Sequence, residues 1–375
     1  MCLTLVASLT LWMLAKFPSP QLYISVNTTL PSLKSNVKTN LSILYQESPD
    51  VFNSIPTSFL RHHRNFCWNS DSTQWCLPAV YLAGMPKCGS TELFRKLLWH
   101  PQLMSPTSKE NHYWARSRIG KSRDHRAQAH ESNFESFSHF LRRFRPGKVD
   151  ENALLVDGTQ SLLWDLSGWE SRYPWADHPP YSNADLIHEV TPGAKILVIL
   201  RDPIERLYSD YLYFSTSKQN NTAYSFGEDV KKEVARFRAC LGFKDLRTCC
   251  YDSDNSPIVR LSLGIYICYI RDWKEKFQDN LMLVRLEDYS SAPTSELTRI
   301  FRFLGVSSPD QRMLEAFLAS SKPANARHEN DRSKGYILER TFKLLYDFYK
   351  PYNLQLSTYL GDSKFYMSAL DGQHE

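Results

Sequence analysis

Three short stretches of this sequence combine cationic, hydroxylic and carboxylic side chains at spacings that can do chemistry. The first is Gly84-Met85-Pro86-Lys87-Cys88-Gly89-Ser90-Thr91. It has the composition of a loop that cradles an anion on backbone N–H groups and a helix N-terminus, with Gly89 letting the backbone approach closely. Gly84 and Gly89 have the separation found in the nucleotide loop Gly-x-x-x-x-Gly-Lys-Ser/Thr, but Ser90 stands where the lysine belongs and the lysine lies at 87. That displacement argues against an ordinary magnesium-dependent nucleotide kinase and puts an ammonium at the start of the cradle. The second stretch is Arg201-Asp202-Pro203-Ile204-Glu205-Arg206-Leu207-Tyr208-Ser209. Ser209 lies two helical turns on from Arg201, so one guanidinium and one hydroxyl can converge on a single phosphate. Arg206 reads as a surface or salt-bridging residue. The third is Lys109-Glu110-Asn111-His112-Tyr113-Trp114, a carboxylate and an imidazole beside two aromatics. His112 has a second reading, as a packing residue among those aromatics. Cys88 reads as a small buried side chain rather than a nucleophile.

The elements that must position these residues are short apolar runs alternating with helical patterns. Ala79–Ala83 reads as a buried strand followed by a helix over Glu92–Trp99. Lys195–Leu200 is a second strand, with Pro203 opening the next helix. Leu281–Leu286 is a third strand, followed by helical spacing over Leu297–Leu304, and Ala153–Val156 is a fourth. This alternation predicts an α/β fold with a central, mainly parallel sheet flanked by helices and ligands beyond the carboxyl ends of the strands. Val259–Phe277 carries Leu263, Tyr266, Ile267, Ile270 and Trp273 at helical spacing and reads as a core helix.

The chain has 375 residues, 42% hydrophobic and 23% charged, enough to bury a sizeable core, and a net charge of +5 that decides little. The distribution is more informative. Between 116 and 148 stand nine basic residues, Arg116, Arg118, Lys121, Arg123, Arg126, Arg142, Arg143, Arg145 and Lys148, an arrangement open to an anionic partner or to a solvated face. Residues 1–17 contain the apolar run Leu3–Leu14, which we read as a short signal anchor, with a cleaved signal and a buried helix as the other readings. Residues 18–60 are rich in Ser, Asn, Thr and Pro and read as a stem, 61–360 as the folded domain and 361–375 as a tail. Sequons at Asn27, Asn40 and Asn220 support a lumenal location. Of eight cysteines, Cys67 and Cys76 can close a small loop, and Cys240 can pair with Cys249 or Cys250. No Cys-x-x-Cys pair or clustered histidines accompany them, so no metal is expected.

These motifs together resemble those of the PAPS-dependent sulfotransferases (PAPS, 3′-phosphoadenosine 5′-phosphosulfate) over roughly residues 64 to 360. Their 5′-phosphosulfate loop has the form Pro-Lys-x-Gly-Thr-Thr or a close relative, and Ser90 keeps the hydroxyl of a common Thr. The resemblance implies a P-loop-like sulfotransferase fold that binds PAPS through Lys87, Cys88, Gly89, Ser90 and Thr91, with Arg201 and Ser209 at the 3′-phosphate. Lys87 would stabilise charge on the oxygen bridging sulfur and phosphorus. The Lys109–Trp114 stretch is similar to the Lys-Glu-x-His-aromatic segment of glycan sulfotransferases, which implies Glu110 as the catalytic base and His112 as the group that orients it or the substrate. Arg332-Ser333-Lys334-Gly335-Tyr336 resembles the family's closing loop, implying donor contacts from Lys334 and Gly335. Phe348-Tyr349-Lys350-Pro351-Tyr352-Asn353 looks like a helix end shared by membrane-bound glycan sulfotransferases.

Within the family, Tyr81–Phe94, the Trp164-Asp165 pair with Trp169, and the Cys240 pairing are most similar to the N-acetylgalactosamine 4-sulfate 6-O-sulfotransferases of chondroitin and dermatan sulfate. The alternative, a heparan sulfate O-sulfotransferase, is represented by the 3-O-sulfotransferase branch, which normally has a cysteine pair ahead of the Lys-Gly loop, and in this sequence no cysteine follows Cys268. Asp157-Gly158-Thr159-Gln160-Ser161 departs from the usual Glu-x-Ser-Pro-Ser segment that faces the glycan. A non-catalytic glycan-binding relative is the reading from another class; it would need a broken donor site. The expected partners are therefore a sulfated glycosaminoglycan acceptor, with the stretch 116–148 as its electrostatic track, and the Golgi membrane in a single-pass type II orientation, with no nucleic acid.

Overall fold

Continuous apolar runs form the centre of the protein because a strand covered on both faces needs no polar side. The computed structural model describes residues 41–119, 135–214, 222–252, 259–321 and 335–366. The Leu3–Leu14 run, the asparagines of the three sequons and Arg332–Lys334 lie outside them. All the described residues belong to the second of two units, Pro31–Glu375. Among the described residues no helix is long and apolar enough to cross a membrane.

The chain first forms an antiparallel hairpin, β1 (Phe66–Ser70) with β2 (Thr73–Leu77). Asp71 and Ser72 make its turn, both at positive φ, the backbone that matches the twist of paired strands. Cys67 stands opposite Cys76 in this register, and the two form a disulfide.

The main sheet follows: β3 (Val80–Gly84), β4 (Leu103–Met104), β5 (Leu154–Asp157), β6 (Lys195–Leu200) and β7 (Leu281–Arg285). They lie in the order β4-β5-β3-β6-β7, and every pairing is parallel. β3 is buried along its whole length, as expected for the middle strand. Since all the strands point one way, the segments leaving β3, β4, β5 and β6 emerge on the same carboxyl edge. These segments are the ones that carry Lys87, Glu110, Thr159 and Arg201.

Sequence and structure agree closely for this frame and diverge at three places. The Val259–Phe277 stretch is not one helix: a 3-10 turn at Leu261–Gly264 precedes the helix Tyr266–Phe277. Gly264 explains the break, because a Cβ there would lie 2.6–2.7 Å from the ring of Tyr349. The core role of the stretch stands, with Trp273 fully buried and its indole N–H donating to Leu163 O at 3.2 Å. Pro351 does not end a helix either. It sits inside Glu339–Leu360, where it removes one backbone donor and the helix continues to Gly361. Third, within 18–60 two short helices, Leu41–Glu47 and Pro49–Ser54, bring Leu44 and Val51 into the hydrophobic core.

A second disulfide joins Cys240 to Cys249. It ties the end of the helix Ala223–Leu241 to the short helix Leu246–Tyr251. Cys250 is buried and free, like Cys268.

Candidate functional site

The loop after β3 is held in an unusual backbone. Lys87 has φ 67° and Gly89 has φ 85°, and only glycine adopts the second freely. A Cβ on Gly89 would also come within 2.8 Å of Leu286 Cδ1. Gly89 is the N-cap of the helix Ser90–Leu97 (α1), and no side chain caps that end. The first N–H groups of α1 therefore face an approaching anion with the helix dipole behind them. Cys88 is fully buried, and desolvation pushes its thiol up to about 12 despite Arg206 and Arg201 nearby. It is no thiolate at neutral pH, so its backbone is what it offers a ligand. The Lys87 ammonium lies 3.8 Å from the centroid of Tyr213, a ring that is 56% exposed at the site's rim.

Arg201 leaves β6 beside this loop. Its Nη1 donates to Lys87 O at 3.5 Å, and its own carbonyl accepts from Tyr266 Oη at 2.7 Å. Asp202 then starts the helix Pro203–Phe214 (α2) by accepting from the N–H groups of Ile204 and Glu205 at 2.9 and 3.0 Å. Arg201 Nη2 pairs with Glu205 Oε2 at 3.1 Å, and Ser209, half-buried, lies one turn further on. The fourth-residue spacing puts Arg201, Glu205 and Ser209 along one face. Arg206 is not a surface residue. It is fully buried, 3.5 Å from Asp210 and donating to Arg260 O at 2.9 Å, because α2 turns that face toward the core. Of the closing loop only Gly335 and Tyr336 are described. Gly335 O accepts from Tyr208 Oη at 3.0 Å, which ties that loop to α2.

The Glu110 segment follows β4. Its aromatic tail is an anchor: Tyr113 stacks on Phe140 at 4.3 Å and Trp114 meets the same ring edge-on at 5.2 Å. Burying a Phe of this kind contributes about 1.5–3 kcal/mol, which holds the polar residues before it in place. Asn111 donates to Asp157 Oδ2 at 2.9 Å, and Thr159 Oγ1 accepts from Asn111 N at 3.2 Å, so the segments after β4 and β5 are cross-linked. Gly158 is required at its position, since a Cβ would lie 2.8 Å from the Phe94 ring and 2.9 Å from Lys109 Cγ.

Lys109 and His112 both meet Glu110. Lys109 Nζ is 2.6 Å from Oε1 and His112 Nε2 is 3.5 Å from Oε2. His112 is itself at φ 55° and shares a hydrogen bond of 2.7 Å between Nδ1 and Ser161 Oγ. Burial pushes the Glu110 carboxyl up, but His112 and Lys109 more than offset it and hold the group at about 2. A carboxyl held this low lends stability that is present above the ordinary carboxylate range and is lost as pH falls toward 2. In the ligand-free protein we expect the carboxyl-carbon NMR signal of Glu110 to stay unprotonated from about pH 8 down to about pH 4. His112→Ala should raise its midpoint by about one unit.

The structure thus brings Lys87, Gly89, Ser90, Arg201 and Glu110 to one edge. Sequence reasoning gave no role to Lys109 within its motif, though its Nζ lies 3.5 Å from Ser90 Oγ and so touches the anion loop as well as Glu110. It also missed Tyr213. Neither contact left a signal, since adjacency in sequence says nothing about which way a side chain turns. The basic stretch is corrected in part. Arg116 is buried against Asp165 at 2.6 Å, and Arg118 is buried with Ser48 Oγ and Tyr181 Oη as acceptors. Arg143 pairs with Glu135 at 2.7 Å. Arg142, Arg145 and Lys148 remain exposed, and Lys121, Arg123 and Arg126 lie outside the described residues.

The sequence profile of the sulfotransferase family matches residues 78–310, from shortly before β3 to beyond β7. The chain belongs to the sulfotransferase family. It is 33% identical over 358 residues to carbohydrate sulfotransferase 15 of Homo sapiens, an alignment covering 90% of this chain and 62% of that protein. The Rattus norvegicus protein of the same name is 34% identical over 358 residues, with the same two coverages. The chain therefore spans less than two thirds of the length of these curated relatives. A solved sulfotransferase from Alicyclobacillus acidocaldarius shares the fold, with a TM-score of 0.52 over 76% of this chain and 97% of its own, at 19% identity. The central parallel sheet flanked by helices is thus a sulfotransferase frame.

Proposed function

We propose that this chain transfers a sulfuryl group from PAPS to a hydroxyl of a sulfated glycosaminoglycan, O6 of N-acetylgalactosamine 4-sulfate in chondroitin or dermatan sulfate. The observation that carries the reading is the meeting of an uncapped helix N-terminus, Lys87, Arg201 and the ionised Glu110 at one sheet edge. These residues fit the donor. The amides of Gly89, Ser90 and Thr91 and the Lys87 ammonium suit a 5′-phosphosulfate, and Arg201 with Ser209 suits the 3′-phosphate. The likeness of Arg332–Tyr336 to the family's closing loop supports donor contacts from Lys334 and Gly335 as well.

In the transfer, Glu110 takes the proton of the attacking hydroxyl as the new O–S bond forms, with His112 fixing the carboxylate through its link to Ser161. Lys87 stabilises the negative charge left on the phosphate oxygen as the old S–O bond breaks. No covalent enzyme intermediate and no metal enter this scheme. The carbohydrate acceptor is supported by the relatives' name, and the particular sugar by the likeness of Tyr81–Phe94 and Trp164-Asp165. On this reading the protein works in the Golgi lumen, held by Leu3–Leu14 as a type II anchor.

Calorimetry with PAP and ATP tests the donor. PAP should bind with an affinity at least about tenfold higher, and a preference for ATP would favour a nucleotide kinase. Transfer of labelled sulfate from PAPS to a panel of chondroitin, dermatan and heparan acceptors, followed by disaccharide analysis, tests the rest. Product found on a heparan chain, or on no glycan at all, would overturn the chondroitin or dermatan acceptor.

A further inference from the structure

Lys109 stands between two parts of the site. Its ammonium is 2.6 Å from Glu110 Oε1 and 3.5 Å from the hydroxyl of Ser90, the first residue of α1 and part of the anion loop. Only 18% of its side chain is exposed, and Gly158 leaves room for its stem, so the ammonium is confined to this gap. One cation therefore faces one fixed carboxylate and one anion cradle. An anion bound in the cradle would compete with the carboxylate for it.

We infer that Lys109 couples occupancy of the donor loop to the readiness of Glu110 as a base, by shifting from the Glu110 carboxylate toward the donor's anionic group at Ser90. This inference rests on the reading of Glu110 as the base and of the loop as the phosphosulfate site. With the ammonium on Glu110 the carboxylate is a poor proton acceptor. With the ammonium drawn to the donor, the same carboxylate regains basicity where the acceptor hydroxyl must lose its proton, and the donor gains a second cation beside Lys87. The proton then goes from the hydroxyl to Glu110, the hydroxyl oxygen bonds to sulfur, and the electron pair of the broken S–O bond stays on the 5′-phosphate. The base thus becomes strong when the donor loop is filled. His112 on the same segment also bears on Glu110, and the buried Asp157 at the end of β5 lies near His112.

The test reads the titration of Glu110 by carboxyl-carbon NMR in the whole protein, with and without saturating PAPS and with no acceptor present. PAPS should raise the Glu110 midpoint by about one unit or more. In Lys109→Ala the midpoint should already be raised without donor, and PAPS should add less than half of the wild-type shift. Lys109→Ala should also weaken PAPS by roughly three- to tenfold, while Lys109→Arg, which keeps the charge, should retain most of the donor-induced shift. Since a nearby anion could move Glu110 without any lysine, an equal shift in wild type and Lys109→Ala would overturn the coupling. So would tight PAPS binding to the wild type with an unmoved midpoint. No binding of PAPS at all would instead remove the donor reading, and this inference with it.

Discussion

Glu110→Gln should lower kcat for sulfate transfer by about 10²–10⁴, the usual contribution of a positioned general base, while PAP affinity is kept or rises by up to about tenfold as Lys109 is released toward the donor loop. Gln has nearly the same shape and can still meet Lys109 and His112, so the cross-links through Asn111, Asp157 and Thr159 survive. The readout separates the base from a structural carboxylate. A variant with full turnover would leave Glu110 as a mere partner of Lys109. A variant that lost PAP as well would make it part of the donor cradle.

The second large effect is expected at Lys87. Lys87→Gly should lower kcat by about 10²–10³, the scale seen when one stabilising group is removed from a developing anion. Glycine is the sharper substitution at this position because of the backbone. Lys87 sits at φ 67°, which costs a residue with a Cβ on the order of 1–2 kcal/mol, and glycine relieves that strain while losing more chain entropy on folding. The two nearly cancel, so chemical denaturation should find stability changed by less than about 1 kcal/mol. Strain kept at a position that glycine would relax points to a needed side chain. Unchanged turnover in this variant would take the Lys87 ammonium out of the chemistry.

Much of the frame was legible because it depends on one-dimensional patterns. Lys195–Leu200 is apolar throughout and became β6 with the expected bounds, and the strand over Ala79–Ala83 moved by a single residue. What failed depended on partners distant in sequence. The break at Gly264 is imposed by Tyr349, and the helix through Pro351 survives because its faces are packed on both sides of the missing bond, with Phe348, Tyr349 and Tyr352 buried. The choice of Cys249 over Cys250 for Cys240 was open from spacing, since both residues lie on one turn and only the packing of that turn selects between them. At the site, Lys87, Lys109, Arg201 and Glu110 could be named from motif composition, whereas the contact of Lys109 with Ser90 could not. The importance of Lys109 lies in the gap between Glu110 and Ser90, and that gap exists only once β4 and β3 share an edge.

The strands that carry the two halves of the site differ in rank. The anion loop grows from β3, the innermost strand, with neighbours bonded on both sides. Glu110 grows from β4, a two-residue strand at the sheet's border with one neighbour. Local opening is cheapest where few bonds must break, so the border can breathe while the centre stays closed. On the proposed reading, the grip on the donor is then the durable half of the machine and the acceptor side the adjustable one. A long anionic polymer can be admitted, shifted along and released by motions at the border alone, without the protein loosening its hold at the middle of the sheet.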